Sequence, residues 1–270
     1  MLKIIVRGGG DLATGVIHRL WGAGFAPLVL ECAHPAAIRR QVALCEAVYT
    51  GEATVEGMTG RLISDINRAQ EVWRAGEVPV LVDETAECVQ RFAPDIVIDA
   101  IIAKRNLGTT SSMAPLVVAL GPGFTVGADA HAVIETKRGH NLGRIIRSGS
   151  AAPNSGVPGN IAGYSAERVL HAPCCGILHI VRDIGSLVQK GEIIAYINDG
   201  QERVDIPATL TGIIRGMIRD GFPVTRGFKI ADIDPRQEEL ANCFTISDKA
   251  HCIAGSVLEL VCRYAQEKYR

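Results

Sequence analysis

The chain has 270 residues, with 28 lysines and arginines against 29 aspartates and glutamates, a net charge of −1, and 47% hydrophobic residues. That balance gives no cationic track, and 5% aromatics leave few stacking platforms, so general nucleic-acid binding is excluded. The length exceeds what one small domain needs and sets an expectation of two compact units.

Residues 3–6 form a short β-branched run entering Gly8-Gly9-Gly10. Asp11 opens a helical pattern with Leu12, Val16 and Leu20 on one face, ended by Gly22 and Gly24. The spacing then predicts a strand over 28–30, helices over 35–45 and 64–75, a strand over 78–82, a short helix over 85–92 and a buried strand over 96–101. Strands alternating with helices in this way predict an α/β domain with a Rossmann-like parallel sheet and helices on both faces. Residues 103–165 are rich in Gly, Ser, Thr, Asn and charge, which predicts a functional loop region. The longest apolar stretch, 114–128, is broken by Gly121-Pro122-Gly123 and is too short for a bilayer, so no membrane partner is expected.

Residues 172–197 realign on 208–233 at an offset of 36, with glycines matched at 176/212, 185/221 and 191/227. This predicts two hairpin units packed as a C-terminal β domain like a barrel-sandwich hybrid, resembling the halves of lipoyl or biotinyl carrier domains. Such carriers place their modified lysine in the turn joining the halves. Here that turn, residues 198–202, has none, so a swinging-arm role is rejected. Lys249 lies beyond the second repeat, where Ser247 and Asp248 read as a helix N-cap, and Ile253, Val257, Leu260, Val261 and Tyr264 mark a terminal amphipathic helix. The expected domains are 1–165, including the segment 103–165, and 166–270, with the repeats and the helix.

Three stretches carry candidate chemistry. Gly8, Gly9, Gly10, Asp11, Leu12, Ala13 and Thr14 match a dinucleotide-binding turn between strand and helix, and Glu31 stands 21 residues past Gly10, where an acid can meet a ribose hydroxyl. A plain tight turn with Asp11 as N-cap is the alternative. Lys104, Arg105, Asn106 and Thr109 follow the 96–101 strand and could face the same crevice. Asp129, His131, Glu135, Arg138, His140 and Arg144 crowd into the segment 127–144. Its histidines lack metal-site spacing, so no metal is expected; His131, Glu135 and His140 are the catalytic candidates, with Asp129, Arg138 and Arg144 as binding candidates. The three stretches are expected to converge on one sheet edge. The eight cysteines, Cys174-Cys175 among them, form no C-x-x-C and read as reduced core residues. With Met1 leading directly into a strand, a cytoplasmic chain is expected.

Taken together, RGGGDLATG, DAIIAKRN, LGPGFTVGADAHAVIETKRGHNLGR and PNSGVPGNIAGYSAERVLHAP resemble the selenium-dependent molybdenum hydroxylase system proteins of the YqeB type. The XdhC-type accessory proteins, with their Rossmann-like domain, are similar in outline. The resemblance implies an accessory role in hydroxylase maturation, with an apo-hydroxylase and selenium-handling proteins as partners. It names no reaction. Three readings stand: an accessory protein binding a nucleotide or the molybdopterin dinucleotide, an NAD(P)-dependent oxidoreductase, and a catalytically silent docking scaffold. A homo-oligomer is compatible with each.

Overall fold

Ile4, Ile5 and Val6 are completely buried in β1 (Ile4–Arg7), as a central strand covered on both faces requires. The computed structural model describes residues 2–154, 156–200 and 202–270. β1 leads through the glycine turn into α1 (Asp11–Gly22) and returns as β2 (Pro27–Glu31), parallel to β1. The short α2 (Ala47–Thr50) precedes a hairpin of β3 (Glu52–Val55) and β4 (Met58–Ile63). Then come α3 (Ala69–Arg74), β5 (Val78–Val82), α4 (Cys88–Phe92), β6 (Ile96–Asp99), β7 (Leu116–Leu120), β8 (Ala132–Ile134) and β9 (Ile145–Ile146). The sheet order is β3-β4-β5-β2-β1-β6-β7-β8-β9. β6 lies on the opposite side of β1 from β2, so the strand order switches between β1 and β6.

Two compact units divide the chain. The first is Met1–Pro35, Ala43–Ser155 and Ile246–Arg270, and the second is Ala36–Val42 and Gly156–Thr245. The last stretch of the first unit carries α5 (Asp248–Lys268), whose Ser247 hydroxyl accepts from the Ala250 N–H. α5 packs on α1 where Gly15 has no side chain: a Cβ there would stand 2.6 Å from the Ala250 Cβ.

In the second unit, β10 (Val169–His171), β17 (Lys229–Asp234), β15 (Gly212–Met217) and β12 (Leu187–Val188) form one antiparallel sheet. β14 (Arg203–Pro207), β13 (Ile193–Asn198), β11 (Gly176–Ile180) and β16 (Pro223–Val224) form the other. The segments offset by 36 residues exchange their short middle strands, β12 pairing with β15 and β16 with β11. Equivalent glycines meet equivalent carbonyls: a Cβ on Gly176 would lie 2.4 Å from Asn198 O, and one on Gly212 2.3 Å from Asp234 O.

The expected fold needs correction. The large sheet is mixed, not a parallel Rossmann-like one, because β3 is antiparallel to β4 and β9 antiparallel to β8. Helical crossovers stop at β6: α1 joins β1 to β2 and α3 joins β4 to β5, but none follows. Between β6 and β7 there is only a 3-10 turn, and β7 reaches β8 through irregular chain. The helix expected over 35–45 is instead two 3-10 turns, Arg40–Val42 and Leu44–Glu46. The terminal helix does not close the β domain; its apolar face is buried in the first unit. The molecule is α/β, with a mixed nine-stranded sheet, two four-stranded antiparallel sheets and a C-terminal helix.

Candidate functional site

The carboxyl ends of β1 and β6 flank the switch in strand order, the place where open sheets leave room for ligands. Gly8, at φ +97°, begins the turn there. A Cβ on it would come within 3.0 Å of Ala100 O and the Ile101 backbone. The glycine serves the approach of the β6 loop. Gly9 is equally enclosed: its carbonyl accepts from the Cys45 N–H (2.9 Å) and the Thr14 hydroxyl (3.1 Å), and a Cβ would meet Cys45 N at 2.9 Å. Glu31 accepts from the Gly9 N–H (2.7 Å) and from Cys32 N (2.8 Å). A pyrophosphate lying along Gly9 would have to displace that carboxylate, so these residues do not fit a dinucleotide as they stand. Gly10 has open space at its Cβ position, Asp11 and Leu12 are half-buried, and Ala13 and Thr14 are buried in α1. Burial and then Glu31 push the nearby Cys32 thiol up to about 11, which keeps it protonated at neutral pH.

Beneath the turn lies a buried polar network. Arg7 donates to the Glu84 carbonyl (3.0 Å), the Leu107 carbonyl (3.3 Å) and the Thr109 hydroxyl. Thr109 donates in turn to Asp99 (2.6 Å), whose other oxygen accepts from Ile101 N (3.1 Å). Asp99 also stands 3.9 Å from Arg7. Burial raises the Asp99 pKa against the opposing pull of the Thr109 and Ile101 hydrogen bonds and the Arg7 charge. Asn106 braces the same loop, donating to the Thr109 carbonyl (2.8 Å) and to Asp129 (3.0 Å) and accepting from Thr109 N (2.8 Å).

Between these braces the chain is strained. Ile102 (φ +59°) and Lys104 (φ +63°) are left-handed, a conformation especially costly for a β-branched residue. Lys104 and Arg105 are exposed. Among the described residues, the backbone N–H groups of 102–105 meet no protein acceptor. Gly123 (φ +107°) lies against Arg105, where a Cβ would stand 2.6 Å from its Cα, bringing the loop after β7 alongside.

The segment 127–144 is divided by β8. His131 precedes the strand, its Nδ1 accepting from Val117 N (2.9 Å), whereas Glu135 follows it, roughly 13 Å along the strand direction. They are not brought together. Glu135 is buried, accepting from Lys137 N (2.7 Å) and Ala152 N (2.8 Å). Asp129 accepts from Thr125 N (2.7 Å), Arg138 forms a two-pronged pair with Asp248 (2.7 and 2.8 Å), and the side chains of His140 and Arg144 are exposed.

Sequence reasoning passes over Arg7 and Asp99, and weighs Lys249 only as a carrier lysine. Arg7 and Asp99 end apolar strand runs, a weak signal visible only once both strands are drawn side by side. Lys249 sits in the first turn of α5, a poor place for a cation. Burial pushes its pKa down and Arg138 adds to the fall, while Asp11, Glu135 and Asp248 pull the other way. Elsewhere in the unit, an open groove of about 440 Å³ runs beside β4 and α3. Its Arg61 is spent on Glu77 and Glu52, and Arg68 on Glu71. Among the described residues no group of three or more His, Cys, Asp or Glu is placed to hold a metal ion, and no helix is long and apolar enough to cross a membrane.

The fold and site define an α/β chain with a charged, strained loop at the switch point of a mixed sheet. No family model matches it. The chain is 49% identical over 256 residues to the uncharacterized protein YqeB of Escherichia coli (strain K12), a match covering 95% of this chain and 46% of that protein. The chain spans about half the length of the curated relative it matches. Among solved structures, it is similar to the product-bound ectoine utilization protein EutE (DoeB) from Ruegeria pomeroyi (12% identity, 85% of this chain and 56% of that chain, TM-score 0.25). It is likewise similar to an aspartoacylase family protein from Mesorhizobium loti (10%, 80% and 59%, TM-score 0.26). Superposition this limited carries nothing about mechanism.

Proposed function

We propose that the chain holds a small oxyanion, or the anionic group of a larger ligand, in the loop after β6, and that it acts as an accessory protein in maturation of a selenium-dependent molybdenum hydroxylase. The binding half rests on residues 102–105. Two left-handed non-glycine residues persist there because the Arg7–Thr109–Asp99 network over-determines the loop. Backbone that changes hand from residue to residue turns successive N–H groups into a concavity suited to anions, and Lys104 and Arg105 add charge. The maturation half is supported by the motif resemblance and by the similarity to YqeB. Hydride transfer has less support, since Glu31 occupies the Gly9 N–H and His131 is separated from Glu135.

Calorimetry with phosphate, molybdate, CMP, NAD and NADP tests the binding half. An oxyanion should bind more weakly as salt rises. The double variant Lys104→Ala, Arg105→Ala should lose about ten-fold or more in affinity with its fold intact, as loss of charge-assisted contacts dictates. Wild-type protein that binds none of these ligands would sink it. For maturation, hydroxylase activity and molybdenum content should fall in a strain lacking the gene and recover with the wild-type chain but not with the double variant.

A further inference from the structure

Thr109, a binding candidate by its place after the 96–101 strand, has none of its surface exposed. Its hydroxyl instead joins the two charges that end the central strands, accepting from Arg7 at the end of β1 and donating to Asp99 at the end of β6 (2.6 Å). Its backbone is held separately, by both ends of the Asn106 amide (2.8 Å each). Arg7 meanwhile reaches the Leu107 carbonyl, two residues before Thr109. The strained residues 102–105 thus lie between two fixed points. One is the Asp99–Ile101 bond on the β6 side, and the other is the Asn106–Thr109 turn on the far side. The threonine hydroxyl ties the second point to the first through a side chain shared by both charges.

We propose that Thr109 is the positioning residue of the anion site, its hydroxyl setting the distance between the two anchors and thereby the left-handed shape of residues 102–105. This rests on the anion-binding reading of that loop. Without the hydroxyl, Arg7 and Asp99 still attract each other across 3.9 Å, so the strands stay paired while the loop loses its register. The network is a device for shaping a loop, not only for holding a sheet.

The test compares Thr109→Val, which keeps the shape and removes the hydroxyl, with Thr109→Ser, which keeps the hydroxyl. Phosphate and molybdate are the titrants in calorimetry, and amide hydrogen exchange is followed at residues 102–105. Valine should weaken oxyanion binding at least ten-fold and speed exchange at 102–105, leaving exchange in β1 and β6 slow; serine should stay within about two-fold of wild type. Wild-type affinity in the valine variant, or equal losses in both variants, overturns the positioning role while leaving the anion site standing. If wild type binds neither oxyanion, the underlying reading fails instead. If valine unfolds the sheet, β1 and β6 exchange fast as well, and the role is structural only.

Discussion

A guanidinium with 1% of its surface exposed is tolerable only where its donors are met, and Arg7 meets a hydroxyl, two carbonyls and a nearby carboxylate. Removing it strands Asp99, also 1% exposed, as an uncompensated charge. Arg7→Met should therefore cost about 3–5 kcal/mol in denaturant unfolding at neutral pH. The pH dependence has a definite sign. Asp99 has a folded pKa above its unfolded value of about 3.9, so its favourable contribution is present at low pH and is lost as pH rises through the folded pKa. In the variant, loss of the Arg7 charge raises that pKa further, so the deficit should shrink on acidification. A deficit independent of pH would show that Asp99 carries no uncompensated charge. The same residues explain what the glycine motif could and could not tell. Gly8 and Gly9 announce a close backbone approach, and one occurs at each, but the approaching groups are Ile101 and Cys45 of the chain itself. A motif read along one strand and one helix carries no information on which distant segment will fill the space its glycines leave.

Elements were legible where a signal is local. The strands predicted over 78–82 and 96–101 correspond to β5 and β6 because continuous buried runs need no partner to be recognised. The β3–β4 hairpin left a weaker trace: its turn is Glu56-Gly57, left-handed at +47° and +82°, and a glutamate advertises such a turn far less than asparagine does. The pairing of α1 with α5 left none, since Gly15 reads as an ordinary helix interior glycine until Ala250, 235 residues later, is placed against it. That contact makes a sharp prediction. Gly15→Val adds methyl groups where even one Cβ is too close, and should destabilise the protein by about 1–3 kcal/mol through overpacking. Denaturant midpoints of Gly15→Val and the double variant Gly15→Val, Ala250→Gly measure it, and the second substitution should recover part of the loss. No recovery would place the strain elsewhere.

At the scale of the whole molecule, the first unit is assembled from three stretches of chain, the last of which follows 90 residues of the second unit. Both tryptophans, Trp21 and Trp73, belong to the first unit, so intrinsic fluorescence reports its unfolding selectively. Ile253 and Val257 of α5 are completely buried there. Truncating Ile253 to alanine removes apolar contacts and leaves a cavity, a loss of about 2–5 kcal/mol. Because that helix is part of the first unit, the loss should appear in the tryptophan transition, although the substitution lies 180 residues beyond Trp73. Ile194→Ala, in the fully buried core of the second unit, supplies the contrast. It should move the far-ultraviolet transition, to which the sheets of both units contribute, while leaving the tryptophan midpoint in place. If Ile253→Ala left the fluorescence midpoint unchanged while shifting the far-ultraviolet transition, α5 would have to be reassigned to the second unit. The covering of α1, and with it the placement of Lys249 beside Asp11, would then fall.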